Sequence, residues 1–230
     1  MYRLQHPQIP RLALTSALFA LAALCSAGPA HAQTSADLTL TSEYAARGGA
    51  LDPHPTLQLR VEHDTDAGWY GGAFASPVTL YGHRQGQLTA YLGRARQLGS
   101  TLTLDAGVTA TTFGRADHLN YHELYVGVAR ERLSARLFYS PAYYGDERSV
   151  YLDVNTGYPL TDRVSLGLHG GVLHLFGERH DLARSIDLRL ALAIDIDDYS
   201  VRAGWQLLGH DYVPGTARAR ALSISASRRF

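Results

Sequence analysis

From Leu38 onward, apolar and polar side chains alternate with a period of two, and the pattern returns in segment after segment up to Phe230. Successive side chains of a strand point to opposite faces, so each segment reads as a β-strand with one apolar and one polar side. The clearest apolar sets are Leu38 and Leu40; Leu57, Leu59 and Val61; Leu102, Leu104, Ala106 and Val108; and Leu124, Val126 and Val128. They continue through Leu133, Ala135, Leu137 and Tyr139; Val150, Leu152 and Val154; Val164, Leu166 and Leu168; Ile186 to Ile196; and Tyr199 to Leu207. Trp69 to Ala75 and Leu88 to Leu92 alternate more weakly. The last segment sets Leu222, Ile224, Ala226 and Phe230 against Ser223, Ser225, Ser227 and Arg229. About twelve antiparallel strands and almost no 3.6-residue period predict an all-β fold.

The spacing of the segments adds a topology. With the amino terminus on the periplasmic side, the turns at 63–68, 96–100, 130–132, 159–163 and 195–198 are short. The opposite connections, at 48–55, 77–86, 113–119, 141–148, 177–184 and 209–217, are longer. Short turns on one side, longer loops on the other and an even strand count predict an antiparallel transmembrane β-barrel. Pro53, Pro55, Pro77, Pro141 and Pro214 fall in the long loops and Pro159 in a short turn, so none is expected to interrupt a ladder. A soluble sandwich would alternate in the same way. Aromatic placement favours the barrel: Tyr158, Tyr199, Trp69 and Phe230 mark one end of the strands, with Tyr44 and Tyr139 at the other, as two girdles around an aliphatic band.

The polar parity supplies the candidate chemistry. Glu43, Arg47, Arg60, Glu62, Asp105, Glu123, Arg136, Asp153, Asp187, Arg189 and Arg202 are the expected lumen-lining residues. Glu43, Arg47, Arg60 and Glu62 are expected together near the extracellular end, where they either border a constriction or brace a filled barrel as an ion-pair lattice. His118, His122, His169 and His174 show no tight metal-ligand spacing, so no metal site is expected. His63-Asp64-Thr65 is the nearest His-x-hydroxyl pattern, yet it falls in a turn, and no catalytic residue and no cofactor are assigned.

Composition then narrows location and partners. Arg3 and Arg11 precede an apolar run from Leu12 to Leu24, and Ala30-His31-Ala32 offers a signal-peptidase site, so residues 1–32 read as a cleaved leader and 33–230 as one domain. Cys25, the single cysteine, lies in the leader, so the mature domain has no disulfide framework. Basic and acidic side chains number 21 each, and the absence of a basic excess argues against a nucleic-acid partner. Tyrosine outnumbers phenylalanine, 14 to 6, which suits a boundary between lipid and water.

Several short motifs occur in a familiar order. Leu38-Thr-Leu-Thr-Ser-Glu-Tyr44 with Arg47-Gly48 is followed by Gly68-Trp-Tyr-Gly71 and Asn120-Tyr-His-Glu-Leu-Tyr-Val-Gly127. Leu133 to Pro141, Tyr151-Leu-Asp153 and Gly157-Tyr-Pro-Leu160 complete the series. This order resembles the proteobacterial Gcw-type or TorF-like family of porin-like outer-membrane proteins. Ala45-Ala46 departs from that family, which often has an aromatic before its first Arg-Gly. The resemblance implies a porin-like outer-membrane barrel and brings no agreed substrate; with the charged polar parity inside, the expected function is passive diffusion of small hydrophilic solutes or ions, with a closed structural or ligand-binding barrel and an outer-membrane enzyme as alternatives. The terminal strand resembles the closing strand of such barrels, which makes Phe230 the candidate assembly signal, and membrane lipid and the barrel-assembly machinery the expected partners.

Overall fold

The computed structural model describes residues 33–176, 184–210 and 220–229. The leader and Phe230 lie outside the described residues. Period-two segments become strands because one apolar face per strand needs a common side to share. The strands are β1 (Gln33–Thr41), β2 (Tyr44–Ala46), β3 (Gly49–Asp52), β4 (Thr56–Asp64), β5 (Trp69–Leu80), β6 (His83–Leu98) and β7 (Leu102–Phe113). The series continues with β8 (Tyr121–Arg130), β9 (Leu133–Tyr143), β10 (Glu147–Pro159), β11 (Val164–Phe176), β12 (Arg184–Ile196), β13 (Tyr199–His210) and β14 (Arg220–Arg229).

Twelve of them form one closed antiparallel ring, and β2 pairs only with β3. Closure is made by β1, which pairs with β4 through Leu38↔Leu59 and Leu40↔Leu57, and with β14 through Leu38↔Ala226 and Leu40↔Ile224. A sandwich has no such seam. Each register keeps apolar beside apolar, so the alternation predicted along the chain becomes a continuous outer surface. Leu40 (55% exposed), Val126 (59%) and Ile224 (62%) stand on that surface with the other aliphatic residues of their parity. A barrel that turns its larger apolar face outward is built for lipid, since in water this band would expose far more apolar area than a folded monomer tolerates.

The ring has two rims. Gln33 and Arg229 mark the terminal rim, and the 42–55 segment leaves from the other, the loop rim. Trp69, Tyr158 and Tyr199 are outward and exposed at the terminal rim, and Tyr139 faces outward nearer the loop rim. Tyr44 does not join them. It sits in the inner hairpin with its ring centroid 6.0 Å from that of Phe74.

Two expected loops are shorter than the sequence suggests. Between β5 and β6 only Tyr81 and Gly82 remain, both at positive φ (50° and 78°), the geometry of a tight hairpin turn. Pro77 therefore lies in a strand, opposite Gly86, but β4 pairs with β5 only as far as Leu59↔Ala75, so the proline removes no bond from that ladder. Pro141 likewise falls inside β9, at a register slip that pairs Ser149 with Ser140 and Glu147 with Tyr143. Both prolines were expected in loops; their strands extend past them because the neighbouring ladder has already ended or slipped.

Candidate functional site

The segment between β1 and β4 does not stay outside the ring. β2 and β3 fold inward as a hairpin whose turn is Arg47 (φ 52°) and Gly48 (φ 77°). Arg47 makes a bidentate ion pair with Glu123 on β8; its Nη2 donates to Oε2 at 2.9 Å. Its guanidinium also lies 5.0 Å from the Phe138 ring centroid on β9 and 4.7 Å from that of Tyr151 on β10. β10 is on the far side of the ring from β4, so the hairpin crosses the lumen. A non-glycine residue at positive φ costs roughly 1–3 kcal/mol, and the ion pair and ring contacts offset that. Gly48 meets a second demand, because a Cβ there would overlap Ser185 on β12.

The base of the hairpin is pinned at both ends. Thr41 Oγ1 donates to the Glu43 carbonyl at 2.6 Å. Asp52, fully buried, accepts from the backbone N–H of His54 at 3.1 Å and from Arg84 Nε at 2.9 Å. Around the hairpin, Val78, Phe113, Leu119, Tyr121, Tyr143 and Leu173 pack into an apolar and aromatic cluster, with Tyr44 and Leu51 against it. The loop side of the lumen is thus filled by a core that belongs to no wall face expected to be apolar.

Below this plug the lumen is polar. Asp105 accepts from Tyr70 Oη and from Arg136 Nε, each at 2.5 Å, and the Arg136 guanidinium lies 5.4 Å from the Tyr125 ring. Tyr91 donates to Glu62 at 2.5 Å. A third network joins His169 Nε2 to Asp187 Oδ1 at 2.6 Å, Tyr151 Oη to Asp187 Oδ2 at 3.2 Å, and His169 Nδ1 to Asn155 Oδ1 at 3.0 Å. Asn155 Nδ2 donates in turn to Asp153. Arg60, Arg189 and Arg202 point into the same space and are exposed. None of the three takes part in an ion pair among the described residues. Arg60 instead lies 5.6 Å from the Phe74 ring.

The expected lumen set is therefore sorted by the structure, and the expected grouping of Glu43, Arg47, Arg60 and Glu62 at one end is not formed. Glu123, Asp105, Arg136, Glu62, Asp153 and Asp187 are engaged in ion pairs or hydrogen bonds. Glu43 stays at the base of the hairpin, where its Oε1 is buried without a hydrogen-bond partner among the described residues. Glu62 is not beside Glu43 and Arg47, because its register partner on β1 is Ser35, toward the terminal rim. Tyr70, Tyr91, Tyr125, Tyr151 and His169 were not expected inside. Their signal was parity: Tyr125 alternates in phase with Glu123, and Tyr151 with Asp153. Reading tyrosine as an interfacial residue obscured it. His174 sits on the opposite face, edge-on to Phe176 at 4.4 Å.

A closed antiparallel ring with an aliphatic exterior, a polar interior and an inward-folded connection is the architecture of a porin-type barrel. The chain belongs to the Gcw_chp family, bacterial proteins of unknown function, whose profile matches residues 26–219. Among solved structures it is similar to the KdgM porin, with 10% identity over 85% of this chain and 99% of that one and a TM-score of 0.60. It is similar also to the NanC porin, at 11% identity over 84% and 98% of the two chains with a TM-score of 0.60. A third is the COG4313 outer membrane channel from Pseudomonas putida F1, at 13% identity over 89% and 97% with a TM-score of 0.57. At these identities the likeness is one of fold. A comparison with curated proteins gives no match.

Proposed function

We propose that the protein is an outer-membrane channel for passive diffusion of small hydrophilic solutes, with both termini periplasmic and the β2–β3 hairpin as its constriction. The observation that carries this reading is the contrast between the two halves of the lumen. Below the hairpin the wall presents Arg60 and Arg202 to open space, neither in an ion pair among the described residues, whereas on the loop side a hairpin anchored at its turn by the Arg47–Glu123 pair and at its base by the Asp52–Arg84 pair narrows the path. Fixed charges on a narrow wall act on passing ions more strongly than in bulk water, and unpaired guanidinium groups favour anions. The porins and channel among the solved relatives support the reading. The filled loop side favours a second one, a closed barrel held shut by its own hairpin.

Planar-bilayer recording of refolded protein separates the two. A channel gives discrete openings, and Arg47→Ala, by freeing the hairpin, gives larger ones. Absence of openings from the wild type and from a folded Arg47→Ala variant would leave the closed barrel.

A further inference from the structure

The outer surface carries a pattern that solute passage does not use. Toward the terminal rim, the outward parity of the barrel strands bears Arg94, Arg96, Arg130 and Arg228, and among the described strand residues no Asp or Glu shares that parity there, the rim's outer carboxylates lying in the turns. Two of these side chains already lie on rim aromatics: Arg94 is 5.3 Å from the Trp69 ring and Arg228 is 5.2 Å from the Tyr199 ring. At the β8–β9 turn the pattern deepens into a recess of about 750 Å³, lined by Arg130, Glu131, Arg132, Leu133, Thr156 and Tyr158. Its apolar side is the lipid-facing wall, where Leu133 is 54% exposed and Tyr158 46%. Neither Arg130 nor Arg132 forms an ion pair among the described residues. Glu131 occupies the turn at φ 53°, between the two arginines in sequence.

Each group in this recess matches one part of a single kind of molecule. Two guanidinium groups at a membrane boundary are donors for a phosphodiester, which they bind through charge-assisted hydrogen bonds. Leu133 and the Tyr158 ring offer apolar surface to the glycerol and first methylenes of an acyl chain. The carboxylate between them is wasted on a purely anionic headgroup but pairs with an ammonium. We propose that this recess is a binding site for a phospholipid with a phosphoethanolamine headgroup, Arg130 and Arg132 holding the phosphate and Glu131 the ammonium. The proposal rests on the membrane-embedded part of the reading above and is independent of whether the barrel conducts.

The test uses the full mature chain refolded in detergent, with heat-modifiable gel migration checked first; a chain that never folds in detergent would remove the membrane reading itself. Native mass spectrometry then counts lipids retained from mixed micelles containing phosphatidylethanolamine, phosphatidylcholine or phosphatidylglycerol. The wild type is expected to retain one phosphatidylethanolamine several-fold more than either of the others. Arg130→Gln with Arg132→Gln abolishes that adduct, while the lumen variant Arg202→Gln keeps it. Glu131→Gln removes the advantage over phosphatidylglycerol. Equal retention of the three lipids by the wild type, or an adduct that survives the double substitution, overturns the site; a wild-type preference for phosphatidylglycerol overturns the headgroup assignment.

Discussion

Tyr151 reaches Asp187 across the inner wall because position 171 carries no side chain. A Cβ on Gly171 would overlap the Tyr151 hydroxyl and stand 2.7 Å from Asp187 Oδ2, whereas on Gly170, one residue away and on the outer face, its nearest neighbour would be Leu188 Cδ2 at 3.5 Å. Overpacking of this kind costs roughly 1–3 kcal/mol. Gly171→Ala is therefore expected to lower stability by that amount in urea titrations of the lipid-reconstituted barrel, and Gly170→Ala to leave it within about 0.5 kcal/mol. A second residue-scale expectation concerns acid. Burial pushes the Asp52 carboxyl up, but the hydrogen bonds from His54 and Arg84 outweigh it and hold the group below its ordinary value of 3.8. A carboxylate depressed in the folded state stabilises fully above its unfolded pKa, and that stabilisation is lost as pH falls through the folded value. Below pH ~4 the base of the hairpin should loosen, seen as faster proteolysis within residues 44–55, and an Asp52→Asn variant should show the faster cleavage already at neutral pH. Cleavage that is equally slow in both proteins at every pH would sink the assignment.

At the scale of the element, β12 shows how much a single strand discloses. Its alternation separates Arg189, inside, from Leu190, 44% exposed on the lipid face, and the structure keeps that separation. Leu190→Arg is expected to cost roughly 2–4 kcal/mol if the residue meets the bilayer midplane. Arg189→Ala, which breaks no ion pair among the described residues, should cost well under half of that; equal effects on refolding would mean the faces are exchanged. Strands of this type were legible because period two is a local property of the chain. The β2–β3 hairpin was not. Tyr44, Ala45 and Ala46 continue the alternation of β1 and look like more wall, and the partner that draws Arg47 inward is Glu123, 76 residues away. Removing Arg47 leaves Glu123, only 3% exposed, without its counter-charge, which typically costs about 3–5 kcal/mol. Arg47→Ala with Glu123→Gln should recover much of that loss in the same unfolding assay.

For the whole molecule, the closed ring, its strand count and its inside-out polarity follow from the alternation and the turn spacing. What they do not contain is which charges remain available to a solute. Arg60 and Arg136 share a parity and look equivalent in sequence, yet Arg136 is bound to Asp105 and Arg60 is in no ion pair among the described residues. Selectivity should accordingly follow Arg60 and Arg202. Replacing both by Glu is expected to move the reversal potential toward cations, and the shift should shrink in 1 M salt, where the screening length is about 3 Å. A reversal potential unmoved at low salt would place these two side chains off the conduction path.

The seam that closes the ring lies beside the point where the hairpin leaves the wall. Ser42 N–H donates to the Leu222 carbonyl at 2.8 Å and Leu222 N–H donates to Ser42 Oγ at 3.0 Å, while the Thr41 hydroxyl, which donates at 2.6 Å to the Glu43 carbonyl, lies 3.2 Å from the Leu222 carbonyl as its more distant acceptor. β14 therefore helps fix the point at which the segment after β1 turns inward. The two ends of the hairpin stem thus depend on different strands: the Asp52 end is held by Arg84 on β6, whereas the β1 end gains its contacts with the wall only when β14 docks. A ring without β14 would be open along one side and would lack the bonds to Ser42 as well, so docking of this one strand completes the wall and tightens its contents together.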